Sequence, residues 1–424
     1  MNAAPDVLAH LQPAPRTLQD EKGDWRLELA PSGTGYLGDE RNVLIALRRS
    51  ELAGVLRFNE FALNLEFTRS PPWRVVAAGA TWTEADDTQC ASWLQAQGLK
   101  VKGRATVADS VAVAARDNLF HPVREYLCAL KWDGVARLST WPCTYLGAGG
   151  DAKYLGAIGA KFTISAVARV LQPGCQADHV LVLEGLQGIG KTSAARALAV
   201  RQEWFAGSLP DIHSKDAPLQ LLGRWVIEIA ELKAIRSSQI EATKSFITET
   251  ADTFRPPYAR RSAQFPRQCV FIASTNEGEY LRDRTGNRRY WPIRCTRIDV
   301  AALVRDRDQL YAEAVHLFRA GATWHLDDSE IAMAAHEQSE RVQVTELEAA
   351  VSEYLELNVK GRDVSVREVL VHALRLDPDK TDFAERARRL GSEVAEAIER
   401  AGWKKLGRKG QMRRTMYRLE GRQG

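Results

Sequence analysis

The sequence predicts an α/β protein whose core is a parallel sheet with helices on its faces. The run HVLVLEGLQGIGKTSAARALA, at 179–199, places an apolar strand, a glycine-rich loop and an alanine-rich helix in succession. Two more apolar runs that end in polar residues follow, RWVIEIAEL at 224–232 and CVFIASTN at 269–276. Strands that alternate with helical stretches in this way are typical of a parallel sheet.

Composition indicates two or three globular domains and no membrane segment. The 424 residues are 45% hydrophobic and 26% charged, and the net charge of +4 is too small to argue for nucleic acid by itself. There is no run of eighteen apolar residues and no signal-peptide layout, so we expect a cytoplasmic protein. The six cysteines are scattered and have no histidine at ligand spacing, which predicts reduced core residues rather than zinc or disulfides.

The glycine-rich loop matches GxxxxGK[ST] in its required context of strand, loop and helix. Glycines let the loop turn back so that backbone N–H groups converge on phosphate oxygens at the positive end of the helix. We therefore predict binding of ATP and Mg²⁺, with Lys191 reaching the β- and γ-phosphates and Thr192 holding the metal. The predicted nucleotide-binding residues are Gly185, Gln187, Gly188, Ile189, Gly190, Lys191, Thr192 and Ser193.

The two later strands supply the expected polar chemistry beside the phosphates. Glu228 and Glu231 are three apart, so the period of two along a strand sends them to opposite faces unless Glu231 lies beyond the strand's end. We predict Glu231 as the principal catalytic acid and Glu228 as a magnesium-side or structural group, with the two roles exchangeable and both near the metal. Asn276 ends the third strand and is the candidate that positions the attacking water.

Several segments in the same order resemble the virulence-associated E family. They are GLQGIGKT, VIEIAEL, KSFITETADTFRPPYARRSAQFPRQ, ASTNEGEYLRDRTGNRRYWPI and, upstream, NLFHPVREYLCALKWDGVARLSTW, over about residues 40–320. That family consists of P-loop ATPases from phages, prophages and phage satellites, and is similar to the superfamily 3 helicases of the AAA+ class. The resemblance implies an ATP-driven DNA helicase of phage-type replication, a hexameric ring, binding to single-stranded and origin or fork DNA, and a separate primase partner.

A ring gives a role to the arginine pair in DRTGNRRYWP, at 283–292. An arginine from a neighbouring subunit that stabilises charge on the γ-phosphoryl group is worth about 10³ to 10⁵ in rate. We favour Arg288 as this trans finger, with Arg289 as the intramolecular alternative. Two other functions stay open: an ATP-regulated DNA-binding switch or loader that unwinds nothing, and a P-loop kinase.

Basic residues in two places are predicted to contact DNA. The segment TFRPPYARRSAQFPRQ, at 253–268, must be a loop or hairpin, which in the resembling helicases enters the central channel. Its candidates, with one lysine upstream, are Lys244, Arg255, Tyr258, Arg260 and Arg261, although the arginines could instead pair with Glu249 and Asp252.

The C-terminal residues predict three helices and a two-stranded β-wing, which suggests a winged-helix-like domain. Clustered charge of this kind predicts salt-sensitive binding to DNA phosphates, with Trp403 and Tyr417 interleaved. The candidates are Arg388, Arg389, Lys404, Lys405, Arg408, Lys409, Arg413 and Arg414.

The predicted organisation has five parts. They are a flexible lead-in (1–40), a mainly helical domain (41–178), the P-loop ATPase core (179–325), a linker (326–345) and the winged-helix-like domain (346–424). His121-Pro122 and Trp132-Asp133-Gly134 match the family, and we expect structural roles for them, with Trp132 buried and Gly134 turning the chain.

Overall fold

The computed structural model describes most of the chain in two compact units. The described residues are 23–209, 211–212, 214, 216–230, 237–256, 261–276, 278–281, 286–342, 346–359, 362–409 and 414–419. The first unit comprises Met1–Asn276 and Arg289–Met333, and the second comprises Glu277–Arg288 and Ala334–Gly424.

The first unit begins with two small sheets and three helices around a common apolar core. Strands β1, β2 and β5 form one sheet, and β4, β3 and β6 form the other, each in that order. Val43, Leu94 and Val107 are fully buried between them. The sequence predicted a mainly helical domain here and did not predict these strands. The elements are β1 (Pro31–Ser32), β2 (Gly35–Leu37), α1 (Glu40–Arg49), β3 (Leu56–Asn59), β4 (Asn64–Phe67), α2 (Glu84–Ala96), β5 (Leu99–Lys100), α3 (Arg104–Ala115) and β6 (Leu119–Phe120).

Three helices connect this region to the main sheet: α4 (Pro122–Ala129), α5 (Trp141–Leu146) and α6 (Ala152–Leu171). His121 caps α4, because its Nδ1 accepts a hydrogen bond from the backbone N–H of Arg124 at 3.1 Å, and Pro122 suits the first helical turn. The prediction that Trp132 is buried is wrong. Its half-buried ring lies 4.7 Å from that of His316, on the outside of the unit, whereas Gly134 makes the expected turn with a φ of 84°.

The main sheet of the first unit has five parallel strands, which confirms the predicted α/β class. These strands are β7 (Val180–Glu184), β8 (Phe205–Ala206), β9 (Val226–Ile229), β12 (Val270–Thr275) and β13 (Tyr290–Arg294). Their order is β13-β7-β12-β9-β8, and every neighbouring pair is parallel. All residues of β7, β9 and β12 are buried, as continuous apolar runs in a parallel sheet require.

Strand order places a topological switch point at the carboxyl end of β7. The chain passes from β7 to β8, β9 and β12 on one side and returns to β13 on the other, so the topology reverses at β7. In open parallel sheets, ligands bind at such a switch point, beyond the carboxyl ends of the strands.

Four helices of the described chain accompany the strands of the sheet, and the last of them holds the helix that follows β7. They are α7 (Lys191–Leu198), α8 (Ala217–Gln220), α9 (Ser237–Thr248) and α10 (Val300–Arg319). From α10, the Arg307 guanidinium donates to the carbonyl of Ala197 at 3.1 Å, and the Tyr311 hydroxyl donates to that of Leu198 at 2.6 Å. These bonds satisfy the free carbonyls at the end of α7 and hold its direction.

An antiparallel hairpin lies where the sequence predicted one. Strands β10 (Ala251–Phe254) and β11 (Ala263–Pro266) pair, and the rings of Phe254 and Phe265 stack at 4.5 Å. Just after β11, the buried Arg267 forms an ion pair with Asp252 of β10, with Nε 2.9 Å from Oδ2. This pair closes the base of the hairpin.

The second unit is a small helical domain with a three-stranded sheet. The predicted three helices and two strands are present, together with the short strand β14, which was not predicted. The sheet order is β14-β16-β15, and Val351, Val394 and Ile398 form part of the core. The elements are α12 (Glu346–Asn358), β14 (Val364–Ser365), α13 (Val366–His372), α14 (Phe383–Arg400), β15 (Trp403–Lys409) and β16 (Arg414–Leu419), preceded by α11 (Asp328–Ser339), which starts in the first unit.

Among the described residues, α6 is long and apolar enough to cross a membrane by length and composition. Within its most apolar stretch, 78% of the residues are buried inside the protein. That burial is typical of a core helix in a globular protein.

Candidate nucleotide-binding site

Three glycines of the loop between β7 and α7 have positive φ angles, which glycine adopts most easily. Gly185, Gly188 and Gly190 have φ values of 148°, 84° and 101°, a region that side chains with a Cβ rarely adopt. A Cβ on Gly185 would also lie only 2.5 Å from the carbonyl oxygen of Cys295. Gln187 is exposed, Ile189 is half-buried and Ser193 is exposed on the first turn of α7.

Lys191 is held across the mouth of this loop. Its Nζ donates to the carbonyls of Gly185 and Leu186 at 2.6 and 2.8 Å, and to Oδ1 of Asn276 at 2.7 Å. Burial lowers the pKa of the lysine below its usual value, and the charge of Glu228 opposes that shift. The predicted lysine and the predicted amide are thus brought together, although they are 85 positions apart in the sequence.

Glu228 faces the start of α7. It is 1% exposed, and its Oε1 accepts a hydrogen bond from the Thr192 hydroxyl at 2.8 Å. Its Oε2 is buried and has no hydrogen-bond partner. A buried carboxylate oxygen without a donor is costly, and a cation beside the Thr192 hydroxyl would compensate it. Oxygen ligands of this kind suit Mg²⁺, which keeps several waters and takes few protein ligands.

Of the other predicted catalytic residues, the structure describes Asn276, Arg288 and Arg289. Asn276 follows β12 and is exposed apart from its contact with Lys191. Glu231 lies outside the described residues, so its predicted role stays a prediction. Arg289 is half-buried and its Nε donates to the Thr248 hydroxyl at 3.2 Å, whereas Arg288 is exposed. Which of the two arginines acts as the trans finger stays a prediction.

The predicted DNA contacts of the first unit divide into three groups. Arg255 and Arg261 flank the hairpin tip and are exposed. Tyr258 and Arg260 lie outside the described residues. Lys244, on α9, is only 4% exposed, a burial that argues against the predicted contact with DNA. Lys244 lies on the inner face of α9. The helical period of the sequence did not show which face of this helix is buried, which explains the error.

The predicted DNA contacts of the second unit lie on α14 and the sheet. Arg388, Arg389, Lys404 and Lys405 are exposed. Arg408, Lys409 and Arg414 belong to β15 and β16, but their side chains lie outside the description, as does all of Arg413.

The two aromatic residues interleaved with these basic positions are buried. Trp403 and Tyr417 are 4% and 2% exposed and belong to the core of the second unit. They cannot act as stacking surfaces for DNA bases in this structure.

Sequence reasoning missed two parts of the site region. The segment 295–300 runs along the glycine loop, with the side chains of Ile298 and Val300 facing Gly190. His121, to which no chemistry was assigned, places its Nε2 2.6 Å from Oε1 of Gln268, at the base of the hairpin. Neither contact has a local sequence signal, because both depend on which strands become neighbours.

The family model of the virulence-associated protein E-like domain matches residues 127–343, just over half of the 424 residues. The chain belongs to the virulence-associated protein E-like family. The matched part of this family member contains the glycine loop, Glu228, Asn276, both candidate arginines and the hairpin. Residues 23–126 and the helices and strands from α12 to β16 lie outside it.

Two solved structures are similar to this family member over most of both chains. The apo structure of the NrS-1 C terminal region has a TM-score of 0.44 at 12% identity, with 86% of this chain and 96% of that chain covered. The A form apo structure of the same region has a TM-score of 0.48 at 14% identity, with coverages of 90% and 100%. No curated protein matches the sequence.

Proposed function

We propose that this protein is an ATP-driven enzyme that translocates on or unwinds DNA during phage-type replication. The observation that carries the proposal is the contact between Thr192 and Glu228, 2.8 Å long, which leaves a buried carboxylate oxygen unpaired at the end of a glycine loop. A loop that binds phosphates next to an unsatisfied carboxylate suits a magnesium-nucleotide better than any purely structural arrangement.

The residues of the site divide the work of phosphoryl transfer. Backbone N–H groups from Gly188 to Thr192 bind phosphate oxygens, and the Lys191 ammonium neutralises their charge. Thr192 and Glu228 would hold Mg²⁺, and that ion would neutralise charge on the phosphates. Asn276, whose Oδ1 accepts a hydrogen bond from Lys191, would orient the attacking water, and Glu231 would accept its proton.

The proposed site is incomplete in one chain. Negative charge develops on the departing β-phosphate and the γ-phosphoryl oxygens as the bond breaks, so a further cation besides Lys191 would stabilise the transition state. The exposed Arg288 is the residue that a neighbouring subunit would lend, while Arg289 holds the turn through its bond to Thr248. We therefore propose a ring, with a hexamer as the expected assembly.

Binding of DNA is proposed for the hairpin and for the second unit. Arg255 and Arg261 flank the tip of the hairpin, where they can follow the phosphates of a single strand. The exposed basic residues of α14 and β15 suit duplex DNA, in the manner of a winged-helix-like domain.

Hydrolysis and unwinding assays with matched variants test this function. Wild-type protein should hydrolyse ATP faster with single-stranded DNA at low salt and should unwind a tailed duplex. Lys191→Ala should abolish both activities, whereas Lys153→Ala, which removes an exposed lysine of α6, should leave both unchanged. DNA-stimulated hydrolysis without unwinding would favour a loader, and hydrolysis indifferent to DNA would contradict the proposal.

A further inference from the structure

We propose that Ile298 and Val300, together with the glycine-rich turn 147–150, form the seat of the nucleobase. The inference rests on the proposed function and adds to it the part of the substrate that the glycine loop does not bind. The residues on the two sides of β7 differ in polarity.

Charged and polar groups lie on one side of β7. Glu228 belongs to β9 and Asn276 follows β12, and both strands lie on the same side of β7 in the sheet. Through their contacts with Thr192 and Lys191 they mark where the terminal phosphate and metal must sit. An extended nucleotide held by the loop must therefore direct its nucleoside end the other way, toward β13.

An apolar surface lies on that other side. The segment after β13 runs along the loop, because the Cys295 carbonyl is 2.5 Å from the Cβ position of Gly185. At the far end of the loop, the Cβ position of Gly190 is 3.5 Å from Cγ2 of Val300 and 3.8 Å from Cβ and Cγ2 of Ile298. Both side chains are half-buried, so apolar surface remains open beside the glycine at which α7 begins.

The turn that contains Gly147, Ala148, Gly149 and Gly150 borders this surface. The Thr296 hydroxyl donates to the Gly147 carbonyl at 2.7 Å, and the Asp299 N–H donates to the Tyr145 carbonyl at 2.8 Å. Nothing lies within 4 Å of the Cβ positions of Gly149 and Gly150, so the space above the turn is open. We place the flat base in this open space, beside Ile298 and Val300.

The physical reason for this placement is that the nucleotide and the site each have a charged end and an apolar end. A nucleoside triphosphate has one highly charged end and one aromatic end that gains by leaving water. The glycine loop likewise has charged residues on one side and apolar residues on the other, so each end of the nucleotide meets the side that suits it. Interaction with the base then adds apolar affinity that a bare polyphosphate cannot obtain.

Binding measurements that compare Mg²⁺–ATP with Mg²⁺–tripolyphosphate test the inference. Wild-type protein should bind ATP at least about tenfold more tightly than tripolyphosphate. The double variant Ile298→Ala/Val300→Ala should lose about that factor for ATP and change by less than about twofold for tripolyphosphate. Retained binding of tripolyphosphate also shows that the variant is folded.

Two single variants, one at the proposed seat and one outside it, test whether the effect belongs to the apolar surface. Val300→Thr keeps the side-chain volume and makes the surface polar, so it should weaken ATP binding by about threefold. This milder variant tests the inference if the double variant is unstable. Val113→Ala, at an exposed valine of α3, should change neither affinity.

The two proposals fail in different ways. Equal affinity of wild-type protein for ATP and tripolyphosphate, or equal loss of both in the double variant, would overturn the seat alone. Binding of neither ligand by wild-type protein would overturn the proposed function and the seat with it.

Discussion

At the scale of single residues, Glu228 combines a structural cost with a proposed catalytic use. Its buried Oε2 has no donor, and its Oε1 accepts from the Thr192 hydroxyl. Glu228→Gln keeps the acceptor and removes the buried charge, so we expect the melting temperature without nucleotide to stay equal or rise. ATP hydrolysis should fall by about 10²-fold or more, because the metal loses its anionic ligand.

Thermal melting and steady-state hydrolysis of the same sample measure both effects of Glu228→Gln. Glu203→Gln is the control, because that carboxylate belongs to the same unit and 65% of its side chain is exposed. A large drop in stability with hydrolysis intact would show that Glu228 is a structural residue.

His121 is the second residue whose burial has a measurable consequence. Burial lowers the pKa of His121 to about 4 and that of His179 to about 3. Between the ordinary pKa of about 6.5 and these values, the unfolded chain binds protons that the folded chain does not. The free energy of unfolding should therefore fall as the pH decreases from 7 to 5, by about 2 kcal/mol for each histidine.

The variant His121→Asn isolates one of these two contributions. Asparagine is a good helix cap, so α4 should still form, while the proton-binding group is gone. We expect denaturant unfolding of the variant to lose about 2 kcal/mol less than the wild type between pH 7 and 5. His336→Asn, at a side chain that is 74% exposed, should keep the full pH dependence.

At the scale of helices and strands, the elements with strong local signals are the ones that sequence reasoning could place. The apolar runs at 180–183 and 269–276 became β7 and β12, because parallel strands that are buried on both faces must be apolar throughout. The run at 224–232 became the shorter β9, Val226–Ile229. The third helix of the second unit was also placed correctly, as α14 has an apolar stripe along one side.

Elements and positions that depend on tertiary neighbours could not be predicted. Strands of two residues such as β5, Leu99–Lys100, have no periodicity to detect. The burial of Lys244 and Trp403 depends on what packs against them, and both looked like surface residues in a basic context. Ile298 and Val300 lie beside the glycine loop because β13, which precedes them in the chain, pairs with β7.

The clustered charge of α14 predicts a salt-dependent contact with DNA. Arg388 and Arg389 are adjacent and exposed, and each phosphate contact releases condensed counterions. For Arg388→Ala/Arg389→Ala, we expect weaker binding to duplex DNA and a slope of log affinity against log salt that is smaller by about two. Fluorescence anisotropy at several salt concentrations measures both quantities.

A control for α14 must remove the same charge elsewhere. Arg41→Ala/Arg104→Ala removes two exposed arginines from α1 and α3, and the slope should stay unchanged. Equal effects of the two double variants would mean that net charge, rather than α14, determines binding.

At the scale of the whole molecule, the candidate site depends on contacts between distant segments. Lys191 begins α7, Glu228 lies in β9 and Asn276 follows β12, and their juxtaposition follows from the strand order of the sheet. The hairpin lies between β9 and β12 in the chain, so the DNA contact proposed for it would be connected through β12 to Asn276.

The proposed sharing of Arg288 between subunits can be tested by mixing two inactive proteins. Lys191→Ala has no working phosphate loop but can still lend an arginine, and Arg288→Ala/Arg289→Ala has the opposite defect. In a random 1:1 mixture, about a quarter of the interfaces of a ring join an intact loop to an intact arginine. Hydrolysis should therefore recover to a similar fraction of the wild-type rate, and it should increase with total protein concentration. A Lys191→Ala protein that also lacks both arginines is the control and should restore nothing. If the first mixture also stays inactive at every ratio, each chain must complete its own site, and the ring is not needed for hydrolysis.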